Sequence, residues 1–223
     1  MTNLLFAPPA LGTVLSLTGL PGGSNKVHDR SPYGNSGTIV GATWERLPSG
    51  LWYLDFDGVD DKVDCGDKTN LEITTEDFSL LAWIYCTDYT GDHRTIIGGS
   101  GLDAVHWQVR KTSGAIVIAK PSAALAAAAD TTMPTDTWVM LGLVFNSHQT
   151  TDNLQYYLNG NTDGLVSFNY DFSGALRYVG KGNNGNSWAF AGGIALPRIC
   201  KGIMLSALDF KNIYDWEKHL FGV

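Results

Sequence analysis

Asp55, Asp57, Asp60, Asp61, Asp64 and Asp67 crowd one short stretch of the chain, and oxygen ligands at that density are what a hard cation such as calcium requires. They do not spell an EF-hand. Counted from Asp55, the fifth and sixth positions are Val59 and Asp60, where that loop needs an oxygen ligand and a glycine. Glycoside hydrolysis needs two carboxylates about 5–10 Å apart across a cleft. The four glutamates, Glu45, Glu72, Glu76 and Glu217, form no Glu-x-Asp-x-x-Glu strand; Glu72 and Glu76 read as turn or cap residues, and an Asp–Asp pair stays open. No Gly-x-Ser-x-Gly elbow accompanies the five histidines. His28, His93 and His148 fall in loop segments and read as surface residues, while His106 and Trp107 read as cross-strand packing. Cys65, Cys86 and Cys200 lie far apart, with no Cys-x-x-Cys or His-x-x-x-His spacing for zinc. Three cysteines cannot all pair within one chain, so buried free thiols are expected.

Binding chemistry remains. Tyr89, Asp92, His93, Asn183, Asn184, Asn186 and Trp188 sit in segments rich in turn residues, and loops at the rim of a β-sandwich supply aromatic and amide groups for the faces and hydroxyls of a sugar. Trp188 is equally a core candidate, and the asparagines equally serve turn geometry.

These groups must be held by strands. Leu54–Asp57 and Lys62–Cys65 alternate apolar and polar residues around a turn at Gly58–Asp61, placing Leu54, Phe56, Val63 and Cys65 on one face and Asp55 and Asp57 on the other. Further strands read as Thr13–Leu17, Thr38–Trp44, Phe78–Cys86, Thr95–Ile97, Val105–Arg110, Ala115–Ala119, Thr137–Phe145, Leu154–Leu158 and Leu176–Gly180. Thr18–Asn25 reads as a loop. Asn159-Gly160 between strands is a hairpin signal, because both residues tolerate positive φ. Ala123–Ala129 lies between Pro121 and Pro134 and reads as a loop or edge excursion. From Leu205 the tail predicts a helix with Ser206 as N-cap, Ile213, Trp216 and Leu220 on its apolar face and Gly222 at its end. Phe56, Trp83, Trp138, Tyr157 and Phe190 have the inward phase of core residues.

At 223 residues, 44% hydrophobic and 17% charged, with 26 Gly and 7 Trp, the composition suits a turn-rich, aromatic-packed β protein of one large domain over 13–223. Its net charge of −7 argues against nucleic acid, which needs a basic footprint. No apolar run is long enough for a membrane span, and the start lacks the basic region of a secretory signal. Residues 1–12 hold Pro8-Pro9 among Leu4, Leu5, Phe6 and Leu11 and read as an extended arm. Such an arm can clasp a second copy or a particle subunit.

Several of these runs carry a resemblance. Leu-x-Phe-Asp-Gly-x-x-Asp-x-Val at Leu54–Val63, the Phe78-Ser79…Trp83 strand, the Tyr157-Leu158-Asn159-Gly160 hairpin, Leu176…Gly180 and Phe190-Ala191-Gly192-Gly193-Ile194 resemble, in order, the motifs of laminin-G-like, concanavalin A-type jelly rolls. The resemblance implies an all-β fold of two antiparallel sheets with a short C-terminal helix. It also implies a possible calcium site at Asp29, Asn35 and Asp57, although Ala195-Leu196 stand where the family's later acidic pair usually lies. The implied function is non-catalytic recognition of a glycan or surface protein at an extracellular surface. The alternative is a virion or particle component, such as a decoration or fibre protein, and the third reading is a glycoside hydrolase.

Overall fold

The computed structural model describes residues 12–21, 23, 25–101, 103–120, 122, 125–169, 171–182 and 188–223. Residues 1–11 of the arm, and Asn183, Asn184 and Asn186, lie outside these. Among the described residues the strands are β1 (Thr13–Pro21), β2 (Lys26–Asp29), β3 (Gly37–Val40), β4 (Thr43–Arg46), β5 (Trp52–Asp57), β6 (Lys62–Asp64), β7 (Phe78–Cys86), β8 (Arg94–Gly98), β9 (His106–Val109), β10 (Ala115–Lys120), β11 (Leu125–Thr132), β12 (Trp138–Phe145), β13 (Leu154–Leu158), β14 (Asn161–Val166), β15 (Tyr178–Val179) and β16 (Ala191–Lys201), followed by helix α1 (Ala207–Phe221).

They form two antiparallel sheets. In sheet A, β4 pairs with β5 and β5 with the first half of β16. β16 then pairs along its length with β7, followed by β12, β13 and β14. In sheet B the order is β1-β2-β3-β6-β15-β8-β9-β10-β11. β1 belongs to both: Thr13–Ser16 pair with β16, and Leu17–Pro21 with β2. It therefore runs on to Pro21 as strand, through part of what reads locally as a loop. The stretch from Thr38 to Trp44 divides into two strands at Gly41, whose φ is +81°, and its halves join different sheets. Part of the alanine-rich stretch is the edge strand β11, held by its ladder to β10. Local composition could not show that partner. The hairpin between β13 and β14 turns at Asn159 (φ +50°) and Gly160 (φ +78°) as expected.

The main core lies between the sheets, where Leu80, Ala82 and Ile84 of β7 meet Ile97, Trp107, Val109, Ile116 and Ile118 of sheet B. Phe56 and Phe190 meet there edge to face, centroids 6.4 Å apart. Trp83, Trp138 and Tyr157 are also buried, but on the opposite face of sheet A, in a second cluster under α1. All five aromatics are thus core residues as expected, divided between two clusters. Alternation along β7 and β12 makes both faces apolar, which is the pattern of a strand covered on both sides, and the helix supplies the second cover. Trp83 stacks on Phe221, centroids 4.0 Å apart at 11°.

α1 is capped as its sequence dictates. Ser206 and Asp209 form a reciprocal capping box, and Gly222 closes the helix at φ +74°. Its buried residues are Phe210, Glu217, Leu220 and Phe221, whereas Trp216, expected inside, is 50% exposed. The inward position of that turn belongs to Glu217. Its carboxylate accepts from Trp83 Nε1 at 2.9 Å and pairs with Arg198. Arg198 reaches it through a bulge in β16 between Ala195 and Arg198, where Leu196 has φ +50°. Ile194 and Ile199 both face the sandwich core across that bulge; the extra residue turns Arg198 towards the helix.

Candidate functional site

The segment before β8 carries His93 and the residue three before β16 is Trp188; the fold sets their rings edge to face, 5.3 Å between centroids at 82°. The ring of His106, on β9, meets the same indole from another side, at 5.8 Å and 88°. The backbone beneath Trp188 is anchored, because its carbonyl accepts from both Thr95 N and Gly182 N, each at 3.3 Å. Trp188 and His93 are half-buried. Burial pushes the His93 pKa down, Asp92 opposes this, and Lys111 and Arg110 add to it.

The turn joining β9 to β10 ties in a third candidate. Lys111 N donates to His93 Nδ1 at 3.4 Å, while Thr112 N donates to the carbonyl of Tyr89 at 3.2 Å. Gly114 admits the Tyr89 ring, since a Cβ there would come within 2.7 Å of it. Asp92 accepts from the amide of His93 at 2.8 Å. Tyr89, Asp92, His93 and Trp188 therefore converge around one end of sheet B.

Beneath them, on the face of sheet B turned away from the sandwich core, lie residues that strand patterning undervalued. His106 and Gln108 alternate with the core residues Trp107 and Val109, and Thr95 stands opposite Gln108 in the ladder. Thr95 and His106 are fully buried and Gln108 is 3% exposed. Among the described residues, Thr95 Oγ1, His106 Nδ1 and Gln108 Oε1 have no hydrogen-bond partner. His106 was expected to pack across strands, and it does pair with Ala119 and Gly98. The available signal was the outward polar pair His106-x-Gln108. The sequence does not show that this face is covered.

The aspartates divide by role. Asp64 forms a two-pronged ion pair with Arg177, Nε–Oδ1 and Nη2–Oδ2 both 2.7 Å, and this lowers its pKa. Asp29 accepts from Ser16 N and Ser31 N on one oxygen, and from Ser31 Oγ and Asn35 N on the other, which organises the loop from Asp29 to Asn35. Asn35 Nδ2 donates to Val14 O at 2.8 Å. Asp57, Asp60 and Asp61 each present a carboxylate oxygen, all within 4.8 Å of one another. Burial raises the Asp61 carboxyl; a hydrogen bond from Asp57 N opposes this, and the charges of Asp57 and Asp60 add to it. Nearby Asp55 is raised by burial and then by Glu45, Asp61 and Asp57.

Glu76 has the turn role read from sequence, while Glu72 is the C-cap of a short 3-10 helix at Thr69–Leu71. Glu76 accepts from Thr74 N, Thr74 Oγ1 and Thr75 N and pairs with Lys201 at 2.7 Å. All three cysteines are buried, and burial pushes the Cys65 thiol up to about 12 and that of Cys86 to about 11. Thiols so protonated are poor nucleophiles.

Residues 57–207 match the family model described as the concanavalin A-like lectin/glucanases superfamily. No curated protein matches the sequence. Among solved structures, the binding domain of Paraclostridial Mosquitocidal Protein 1 is similar at 13% identity with a TM-score of 0.66, covering 91% of this chain and 52% of that one. The binding domain of botulinum neurotoxin DC, solved in complex with SialylT, gives 14%, 0.61, 92% and 51%. Domain 4 of AbnA, a GH43 extracellular arabinanase from Geobacillus stearothermophilus, in complex with arabinotriose, gives 18%, 0.63, 84% and 92%. The chain thus spans about half of the toxin chains and nearly all of the arabinanase domain. At these identities the likeness concerns the fold. No helix among the described residues is long and apolar enough to cross a membrane.

Proposed function

The chain belongs to the concanavalin A-like lectin/glucanase superfamily, and from that premise we propose that it is a non-catalytic carbohydrate-binding module that works at an extracellular surface and engages its glycan at the Trp188–His93 end of sheet B. The observation that carries this reading is the half-buried indole of Trp188, with the imidazoles of His93 and His106 both set nearly perpendicular against it. An indole fixed in this way offers a large apolar surface with little rotamer entropy left to lose on binding a sugar ring. The structural neighbours support it by analogy, since one was solved with arabinotriose and another with SialylT. Screening the purified chain on a glycan array and measuring the hits calorimetrically tests the reading. Trp188→Ala should weaken binding by about tenfold or more without changing the fold. A hit bound equally by wild type and Trp188→Ala would move the site elsewhere.

A cation belongs to the same proposal as a separate, supporting element. Asp57, Asp60 and Asp61 fit calcium by donor type. Millimolar calcium should raise the unfolding midpoint of wild type and leave that of Asp60→Asn unmoved. Equal shifts in both proteins would remove the corner from the proposal.

A further inference from the structure

Buried polar groups in folded proteins are nearly always hydrogen-bonded, and the exceptions call for a reason. Three such atoms lie together on the outer face of sheet B, directly below the proposed rim site. Thr95 Oγ1 and His106 Nδ1 both lie within 3.0 Å of a single point, the position a Cβ would take on Gly182. Gln108 Oε1 belongs to the ladder partner of Thr95. The apolar floor between them is Val117, opposite Gln108, and Ala119, opposite His106; both are buried. Above lie the α-carbon of Gly182 and the indole of Trp188.

The protonation state is set by geometry. His106 Nε2 faces the carbonyl of Gly101 at 3.4 Å, and a carbonyl only accepts, so the proton sits on Nε2 and Nδ1 presents a lone pair. Burial pushes the pKa of His106 down to about 4, against the Gly101 contact, which keeps the ring neutral. The buried cluster thus offers an imidazole lone pair, an amide oxygen and a hydroxyl, and among the described residues no charged group bonds any of them.

We propose that Thr95, His106 and Gln108 form a hydroxyl-reading floor beneath Trp188, selecting a neutral sugar unit whose hydroxyls enter when Gly182 moves outward. The inference rests on the carbohydrate reading above and narrows its ligand. A sugar hydroxyl both donates and accepts, so one ring can satisfy all three atoms. A carboxylate would have to shed its water against these three neutral groups alone, since the cations Lys111 and Arg110 act at His93 on the rim, which sets sialyl and uronic units at a disadvantage. Glycine at position 182 permits the close approach, because any side chain there would press on the polar atoms.

The test measures binding and unfolding midpoint together for wild type, His106→Phe, Gln108→Met and the near-isosteric Thr95→Val, against neutral and acidic oligosaccharides. Wild type should prefer neutral sugars, and each variant should lose about tenfold or more in affinity. Its midpoint should be equal to or above that of wild type, since removing an unsatisfied buried polar atom relieves a destabilising term. Should His106→Phe fail to fold, Thr95→Val decides. A wild type that binds only acidic glycans overturns the inference, as do variants that bind like wild type, which would show that the three atoms hold only solvent. In either case the carbohydrate reading survives if Trp188→Ala still abolishes binding. A wild type that binds no glycan overturns both.

Discussion

His106 couples pH to stability through a single ring. In the unfolded chain a histidine takes up a proton below its ordinary pKa of 6.5, whereas in the folded protein this ring stays neutral down to about 4. Between those values acid favours the unfolded state, so stability falls as pH drops from 6.5 to 4 and is unaffected by this group above 6.5. The full window is worth at most about 3 kcal/mol. Urea unfolding at pH 7 and pH 4 should show wild type losing more stability than His106→Phe over that interval. A difference between the two proteins that does not change with pH would contradict the neutral, sealed ring. Single residues of this kind were only partly readable in the sequence. Tyr89, Asp92, His93 and Trp188 could be named because aromatic and polar groups in loops point to binding. Thr95 and Gln108 were not, because their significance lies in being covered by Gly182 and Trp188, which are remote in sequence. Asn183, Asn184 and Asn186 lie outside the described residues.

At the level of elements, the helix shows how one polar pair can fix the seat of an apolar face. α1 docks with Phe210 lying directly on Gly142, where a Cβ would come within 2.2 Å of the ring, and with the same ring stacked on Tyr157 at 4.0 Å. Its register is then set by Glu217, which has both Arg198 and Trp83 to meet. Removing one member of a buried ion pair strands the other, so Glu217→Leu should lower stability by about 3–5 kcal/mol. The double change Glu217→Leu with Arg198→Met should recover most of that loss, because the stranded guanidinium goes with it. Chemical denaturation of the four proteins measures the coupling. A double variant as weak as Glu217→Leu would mean that the pair does more than compensate itself. This arrangement also explains why the helix face was misjudged. Apolar spacing favours Trp216, whereas the bulge at Ala195–Arg198, a tertiary feature, brings the Arg198 guanidinium to a carboxylate at the inward position, with the charge of Arg30 also acting on it.

For the whole molecule, strand alternation and the ordered motifs from Leu54 to Ile194 were enough to specify a two-sheet β-sandwich with a C-terminal helix. They could not say that sheet A is covered on both faces while sheet B presents an outer face bearing polar groups. That asymmetry underlies the proposed placement of the ligand. It follows from the helix occupying the second face of β7 and β12, where it buries Trp83, Trp138 and Tyr157 in a core of their own. The arm, and with it the particle reading, rests on residues 1–11, which lie outside the described part of the chain. The proposed function is carbohydrate binding without turnover at the Trp188 end of sheet B. Its most direct test is an NMR titration of the isotope-labelled protein with the strongest neutral glycan from the array, followed until the sugar signals would reveal any product. The account predicts saturable shifts in the Trp188 indole and the His93 and His106 rings, with the glycan unchanged. Shifts confined to the Asp57–Asp61 corner, or the appearance of cleaved sugar, would contradict it.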